Sequence, residues 1–348
     1  MKKEPEAKPV RGINSNHIAL ACGVSQGTVD RALNNRPGIN SETKMRILET
    51  ARKMGYRPSQ LARSLVKGES MTIGLVLFHL KNQFFSQLAE AIEIFAREYG
   101  YFTYLTLTHN KYETEKACID HLYGRRVDGL ILCSAVKDPG YAAYLGSLNT
   151  PVVAVGNRLP GGFPFVGIDD RAAMRDMVRS IIHRPERGGI QRIYYVSPAL
   201  ANADNENIWA QEQRYAGCLE AASEIFPGES KDLQVVPISR SDYLQALEEV
   251  DIRKNIYSAV ICGSDIHAIE VQRYFLQKGW QIPKDLVVAG FDHIEMLKYL
   301  QPSIPSVGYP LSEAGKEAVR VLLEMIKQNQ KGSKNKPGDI ILKHNLII

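Results

Sequence analysis

Five residues near the start of the chain combine hydrogen-bond donors with close spacing: Ser25, Gln26, Gly27, Thr28 and Arg31. Gln can pair with adenine, Arg with guanine, and hydroxyls suit phosphate oxygens, so the set suits recognition of a DNA duplex. Gly27 has no side chain to offer. A solvated helix position is the plain alternative for Gln26. Asp30 is the odd residue, because phosphates repel a carboxylate. It either accepts from a cytosine amino group or turns away to pair with a neighbour such as Arg31. Catalytic signatures are missing: there is no GxGxxG after the first strand, no Walker sequence and no GxSxG. His79, His109 and His293 lack metal spacing. The five cysteines are scattered without a CxxC pair, which reads as a reduced, cytoplasmic protein without structural zinc. No cofactor is expected.

These residues need helices to present them. His17 to Cys22 reads as a short helix, ended by Gly23. Ser25 can cap a second helix running to about Leu33, and Asn40 a third, with Glu42 at its positive end and Gly55 as its stop. Ala19, Ala21, Val24, Val29, Ala32 and Leu33 are small or apolar, as closely crossing helices require. Ile47, Leu48, Ala51 and Met54 share one face of the third helix. Two helices joined through Gly23-Val24-Ser25 have the turn chemistry of a helix-turn-helix. Charge agrees: residues 1–68 hold thirteen Lys/Arg and five Asp/Glu, so they carry +8 of a net +5 and the other 280 residues carry −3. A basic head meets a polyanion. Residues 1–13 lack periodicity and read as a disordered tail.

After Gly68 the texture changes. "MTIGLVLF", "YFTYLTLT", "VDGLILC" and "PVVAVGN" alternate with amphipathic helices. The alternation restarts with "RIYYVS", "LQVVPIS", "YSAVICGS" and "LVVAGFD". That is the pattern of parallel βαβ units in two doubly wound lobes. The tail "IILKHNLII" reads as one final strand, which argues against a tetramerising heptad helix. The chain length of 348 residues suits two or three domains. No apolar run spans a bilayer, and "MKKEPEAKPV" is no secretory leader. Asp169 and Asp170, closing "FVGIDD", read as capping groups at a crossover strand.

The run "IALACGVSQGTVDRALNNRPGINSETKMRILETARKMGYRPSQLARSL" resembles the head of the lactose-repressor (LacI/GalR) family of bacterial transcription regulators, and the two-lobed body resembles that family's effector core. The resemblance implies an all-α helix-turn-helix head (14–57), a hinge helix (58–68) and an α/β periplasmic-binding-protein-like (type I) core (69–348). Within that core, lobe one would take about 69–168 and 301–332, and lobe two about 170–299 and 333–348. The chain would cross between lobes near Asp169, Leu300 and Gly332. Gln26, Gly27 and Arg31 would then read bases, with Ser25, Thr28 and Asn34 beside them. In the hinge "PSQLARSL", Leu61, Ala62, Arg63 and Leu65 would form the DNA contact in the minor groove, with Leu65 as a wedge between base pairs. Ala62 is small enough for close helix contact, and Arg63 can hold phosphate. An ordinary linker helix is the plain alternative. A hinge this short is unstable alone and would pair across a homodimer on a near-palindromic operator.

The same resemblance places an effector at the carboxyl ends of the strands. Asn82, Phe84 and Phe85 follow the first strand in "KNQFF", where Gln83 replaces the family's proline. Asn157-Arg158 stands where Asp-Arg is common, and Ser264-Asp265 where Asn-Asp is usual. Arg214 and Asp292 match the family's arginine and ligand-binding aspartate, and Tyr309 replaces a frequent glutamine. Trp209 is either a stacking face or a packed residue, and Arg158 and Asp292 either hold ligand or form an interlobe ion pair. Such a set suits a polyhydroxyl ligand, most simply a sugar or sugar derivative. The expected function is ligand-controlled DNA binding without catalysis, in the cytoplasm, with no membrane partner. A nucleobase-type corepressor is the alternative effector. A solute-binding protein and an enzyme on the same core are the remaining readings.

Overall fold

The computed structural model describes residues 13–56, 68–182, 189–198, 200, 206–225, 235–238, 242–332 and 337–348. The expected hinge set Leu61, Ala62, Arg63 and Leu65 and nearly all of the expected tail lie outside the described residues. The chain divides into two compact units, Met1–Ser70 and Met71–Ile348.

The first unit is built from helices α1 (Ser15–Cys22), α2 (Gln26–Leu33) and α3 (Ser41–Lys53). Local chemistry sets each end. Asn14 accepts from His17 N, Ser25 from Thr28 N, and Asn40 from Glu42 N and Thr43 N. Gly23 closes α1 at φ 65°, a left-handed conformation costly for a side chain with Cβ. Ile18, Ala19, Cys22, Val29, Ala32, Ile47 and Ala51 form the core of this unit. Two expected packing residues face out: Ala21 is exposed, and Leu48 is 41 % exposed although Ile47 and Ala51 are buried. Leu48 falls at the edge of the apolar stripe, which three short helices are too few to cover.

The second unit holds two six-stranded sheets. The first has the order β11-β5-β4-β3-β1-β2 and the second β12-β10-β9-β8-β6-β7. Lobe one uses β1 (Thr72–Leu77), β2 (Phe102–Leu107), β3 (Gly129–Leu132), β4 (Val152–Val155), β5 (Phe165–Ile168) and β11 (Ile340–Leu342). Lobe two uses β6 (Arg192–Val196), β7 (Val235–Ile238), β8 (Ser258–Cys262), β9 (Leu286–Asp292), β10 (Ser306–Gly308) and β12 (Asn345–Ile347). Among the named strands all pairings are parallel except β10 with β12. The central strands are apolar throughout because helices cover both faces. Each fully buried Ile, Leu or Val there contributes about 1.5–3 kcal/mol relative to exposure.

Helices α4 (Gln83–Glu98), α5 (Tyr112–Gly124), α6 (Pro139–Ser147) and α11 (Leu311–Gln330) belong with the first sheet. Helices α7 (Asp170–Ile182), α8 (Trp209–Ile225), α9 (Tyr243–Glu249) and α10 (Asp265–Gln277) belong with the second. Helices α7 and α8 pack so closely that a Cβ on Gly217 would stand 2.1 Å from the Arg171 carbonyl oxygen.

Two expected lobe boundaries move. The chain crosses after Ile168, but its second crossing lies between β10 and α11, not at Leu300, and its third between β11 and β12, not at Gly332. "SVG" extends lobe two beside β9 before the chain leaves. "IILKHNLII" is not one strand: the polar Lys343-His344 pair separates a lobe-one strand from a lobe-two strand. Three-residue strands carry no period that a sequence reading can detect.

Candidate nucleic-acid interface and ligand cleft

In the first unit, α2 presents Ser25, Gln26, Gly27 and Arg31 on its exposed surface, with Thr28 half-buried. Ser25 Oγ caps Thr28 N at 3.2 Å and lies 2.9 Å from Thr28 Oγ1. Gln26 Nε2 donates to Ser15 Oγ at 3.0 Å, so α1 steadies the amide at the start of α2. A Cβ on Gly27 would meet only Ser25 Oγ at 3.8 Å, so that surface is open. Asp30 turns to its neighbours, but not to Arg31. Its carboxylate pairs with Arg36 Nη1 at 3.1 Å and accepts from Asn34 Nδ2 at 2.7 Å. Asn34 is thereby occupied within its own helix end.

In the second unit, a cavity of about 440 Å³ lies between the lobes at the carboxyl ends of the strands. Of the expected effector residues, Asn82, Phe84, Phe85, Asn157, Arg214, Ser264 and Asp292 line it. Asn82 follows β1 and caps α4, accepting from Phe84 N at 3.0 Å. Phe84 and Phe85 meet edge to face with centroids 5.2 Å apart.

Arg214, on α8, is the centre of the lobe-two wall. Its Nε donates to Asp170 Oδ1 at 2.7 Å and its Nη1 to the Gly263 carbonyl at 2.7 Å. Nη1 is also 3.3 Å from Asp292 Oδ1, and the guanidinium lies 3.7 Å over the Phe291 ring. Burial opposes the charge of Arg214, but the Asp292 and Asp170 carboxylates outweigh it and hold its pKa up. Asp170, read from the sequence as a capping group, is therefore one arm of a buried ionic cluster. Asp292 sits at φ 108°, a backbone conformation that costs free energy and tends to occur at functional sites. Its Oδ1 is in ion-pair range of Arg214 but has no hydrogen-bond donor among the described residues.

Four expected ligand residues lie outside the cavity lining. Arg158 pairs with Asp339, and its guanidinium lies 4.6 Å from the Phe165 ring centre and 5.3 Å from that of Trp209. That pair ties β11 to its own sheet and is not an interlobe bridge. Trp209 packs edge-on against Phe165 with centroids 5.6 Å apart. Asp265 is fully buried and accepts from Ser306 Oγ at 2.6 Å and Ile294 N at 2.8 Å. Tyr309 packs on Phe84 with centroids 5.0 Å apart.

Asn157 lines the cavity but spends its amide on bridging the lobes. It donates to the Asn207 carbonyl at 2.6 Å and accepts from Ala210 N at 3.1 Å. Asn207 N donates to the Ala135 carbonyl at 2.7 Å, and its Nδ2 donates to the Arg158 carbonyl at 2.8 Å. Lys137 and Glu212 add an ion pair at 3.1 Å. Gln83, the residue in place of proline, accepts from Met296 N at 2.9 Å and bridges the lobes as well.

Sequence reasoning missed His79, Lys81, Asn110, Glu206, Asn207, Gln211 and His267 as lining residues. For two of them a signal existed. Gln211 precedes Arg214 by three positions on α8, and His267 follows Ser264 by three at the start of α10, so each shares a helix face with an expected residue. Ser264 Oγ lies 3.1 Å from His267 Nδ1. Three lining residues carry a buried polar atom without a hydrogen-bond partner among the described residues: His79 Nδ1, Gln211 Oε1 and Asp292 Oδ1, the last of them in ion-pair range of Arg214. No group of His, Cys, Asp and Glu among the described residues could hold a metal ion. No described helix is long and apolar enough to cross a membrane.

The buried acids fix a pH dependence. Burial pushes Asp292 up to about 8 and Asp265 up to about 7, against the pull of Arg214 on both and of the Ser306 hydroxyl on Asp265. A carboxyl raised on folding binds its proton in the native state, so the stabilisation is lost as pH rises through the folded pKa. His267 works in the opposite direction: burial lowers it to about 4, so it costs stability only below about pH 6.5. The acids therefore dominate between pH 6.5 and 8, and ligand-free stability should fall across that window by on the order of 1–2 kcal/mol. Thermal melts at closely spaced pH values check this, and Asp292→Asn should flatten the slope.

Comparison with known proteins follows the same division. Residues 16–59 match the profile described as bacterial regulatory proteins, lacI family. Residues 70–346 match the profile of periplasmic binding proteins and the sugar binding domain of the LacI family. The chain is 31% identical over 315 residues to the ribose operon repressor of Bacillus subtilis (strain 168), covering 89% of this chain and 91% of that protein. It is 27% identical over 338 residues to the HTH-type transcriptional repressor CytR of Escherichia coli (strain K12), covering 95% and 94%. Among solved structures, the lac repressor dimer bound to operator and the anti-inducer ONPF superposes with a TM-score of 0.78 at 19% identity, covering 97% of this chain and 98% of that one. The CelR–cellobiose complex superposes with a TM-score of 0.63 at 21% identity, covering 97% and 98%.

Proposed function

Because the chain belongs to the lacI family of bacterial regulatory proteins, we propose that it is a DNA-binding repressor whose operator affinity is set by a small polyhydroxylated effector in the interlobe cavity. The observation that carries the effector reading is that three residues lining that cavity from both lobes hold a buried polar atom with no hydrogen-bond partner among the described residues: His79 Nδ1, Gln211 Oε1 and Asp292 Oδ1. An unmet buried polar group costs about 1–3 kcal/mol, and a ligand that meets it recovers that amount. The names of the relatives support a sugar: one is a ribose operon repressor, and one solved neighbour is a cellobiose complex.

In this reading Asn82, Phe84, Phe85, Arg214, Ser264 and Asp292 touch the effector. Arg158, Trp209, Asp265, Tyr309 and most of the Asn157 amide act behind it by fixing the walls. Gln26, Arg31 and the Ser25 and Thr28 hydroxyls meet the operator. The effector binds one interlobe arrangement better than another and so shifts the regulator between DNA-binding states. The role is regulation without catalysis, carried out in the bacterial cytoplasm.

The regulator acts as a homodimer on a near-palindromic operator. Strand β2 supports this assembly. It is an open edge of the first sheet, yet Phe102, Tyr104 and Leu105 on it are 67 %, 44 % and 41 % exposed. An exposed apolar edge strand needs a cover, and a second copy supplies one.

Fluorescence anisotropy of genomic operator fragments, titrated with sugars and purines, tests the function. Release by a sugar marks an inducer, and tightening by a purine marks a corepressor of nucleobase type. Full-length protein with no preference for any fragment over random competitor would overturn the regulatory reading.

A further inference from the structure

Helix α2 carries a single acid, and the placement of that acid assigns a role to a residue beyond the helix. Gln26, Asp30 and Asn34 are spaced four apart, as are Gly27 and Arg31, so all five share the surface opposite the buried Val29 and Ala32. A carboxylate on a surface that meets a polyanion works against the rest of the basic head. Both of its oxygens are engaged within the head. Oδ1 accepts from Asn34 Nδ2 at 2.7 Å, and Oδ2 lies 3.1 Å from Arg36 Nη1. The loop after α2 is bent to allow this. Asn35 stands at φ 54°, a left-handed conformation that asparagine tolerates, and its Oδ1 accepts from Lys44 Nζ of α3. Arg36 N donates to the Arg31 carbonyl at 2.9 Å, which returns Arg36 to the side of Asp30.

This pairing orients the guanidinium without using it up. The Arg36 side chain is 54 % exposed, and Asp30 meets one nitrogen of a group that carries five N–H donors. In a helix-turn-helix the first turn of the second helix reads base edges. At about 1.5 Å of rise per residue, Asn34 stands about 12 Å beyond Gln26. The major groove is about 12 Å wide, so the far end of α2 reaches its sugar–phosphate rim. A phosphate there meets a cation that is already oriented, and a guanidinium fits phosphate through parallel N–H bonds. At longer range Asp30 cancels the charge of Arg36, so the pair adds little nonspecific attraction. Its contribution appears only in the docked register, which phosphate contacts fix.

Resting on the DNA reading of α2 above, we propose that Arg36 contacts an operator phosphate and that Asp30 is its positioning residue, a pair that raises preference for the operator over other duplexes.

Fluorescence anisotropy on the full-length protein tests it across about 50 to 200 mM salt. The probes are the genomic fragment that the parent protein selects and a random-sequence duplex of equal length. Arg36→Ala should weaken binding to the fragment about tenfold or more, and lower the slope of log affinity against log salt by about one per head. Asp30→Asn should weaken binding to the fragment about threefold or more, although it removes a negative charge, and should strengthen binding to the random duplex. In the Arg36→Ala background the same change should strengthen binding to the fragment, because it removes a stranded carboxylate. Misfolding does not produce that reversal of sign, and an exposed ion pair contributes little to folding. Asp30→Asn strengthening fragment binding in both backgrounds would overturn the positioning role. An unchanged salt slope in Arg36→Ala would overturn the phosphate contact, and either result leaves the DNA reading standing. A parent protein with no preference for any fragment over random competitor would sink both.

Discussion

Replacing Arg214 with methionine is expected to lower the unfolding free energy of the two-lobed core by about 3–5 kcal/mol and to abolish the effector response. Methionine keeps much of the stem volume, so the cost is electrostatic. Without the guanidinium, Asp170 and Asp292, 2 % and 3 % exposed, face each other with no cation between them. The Gly263 carbonyl also loses its donor at 2.7 Å. Burial already favours the protonated form of Asp292 at pH 6.5 and less so at pH 8, where more of its charge is stranded, so the loss should be larger at pH 8 than at pH 6.5. Urea unfolding of parent and variant at both values measures it. Adding Asp170→Asn to Arg214→Met should recover part of the loss, since it removes one stranded charge. A variant within about 1 kcal/mol of the parent at pH 8 would show that the cluster is not ionic in the way its geometry implies.

A chain that begins at Met71 is expected to fold, remain dimeric and bind effector, while losing operator affinity by about a thousandfold or more. The helical head has a core of its own around Ile18, Val29, Ala32 and Ile47, and the remainder holds both sheets complete. A unit with its own core can fold alone. Electrostatics deepens the loss. The first 70 residues hold thirteen of the 43 Lys/Arg and six of the 38 Asp/Glu, so the remainder carries 30 against 32, a net −2. Nonspecific attraction to phosphates should therefore vanish together with base readout. Anisotropy reads the DNA, calorimetry the effector and sedimentation the dimer. Operator binding at the full-length affinity would place recognition in the core and overturn the assignment of α2. A monomeric core would remove β2 as the dimer edge.

Much of this molecule was legible without coordinates because its causes are local. Ser25 and Asn40 cap the helices they precede, and Gly23 turns the chain between α1 and α2, through interactions within four residues. The alternation of apolar strands and amphipathic helices carried the parallel two-lobed architecture in the same way. The short strands β10, β11 and β12 were less legible. Three residues show no periodicity, and the sheet each one joins depends on partners far away in the chain.

The ligand cleft divides along the same line. The order of residues placed Arg158 and Arg214 alike, each near the end of a strand or the start of a helix. Packing separates them: Arg158 reaches Asp339, 181 positions on, and Arg214 joins Asp170 and Asp292 in a buried cluster. Asn157 could have held a ligand, but it spends its amide on the opposite lobe. Gln211 could have been an ordinary helix residue, but it carries a buried oxygen with no donor among the described residues. The amino-acid order by itself determined the helix ends, the strand and helix alternation, the basic head and the presence of a cleft. Tertiary structure alone decided which polar groups are already satisfied and which remain for a ligand, because hydrogen bonding and desolvation depend on neighbours that folding brings together from distant parts of the chain.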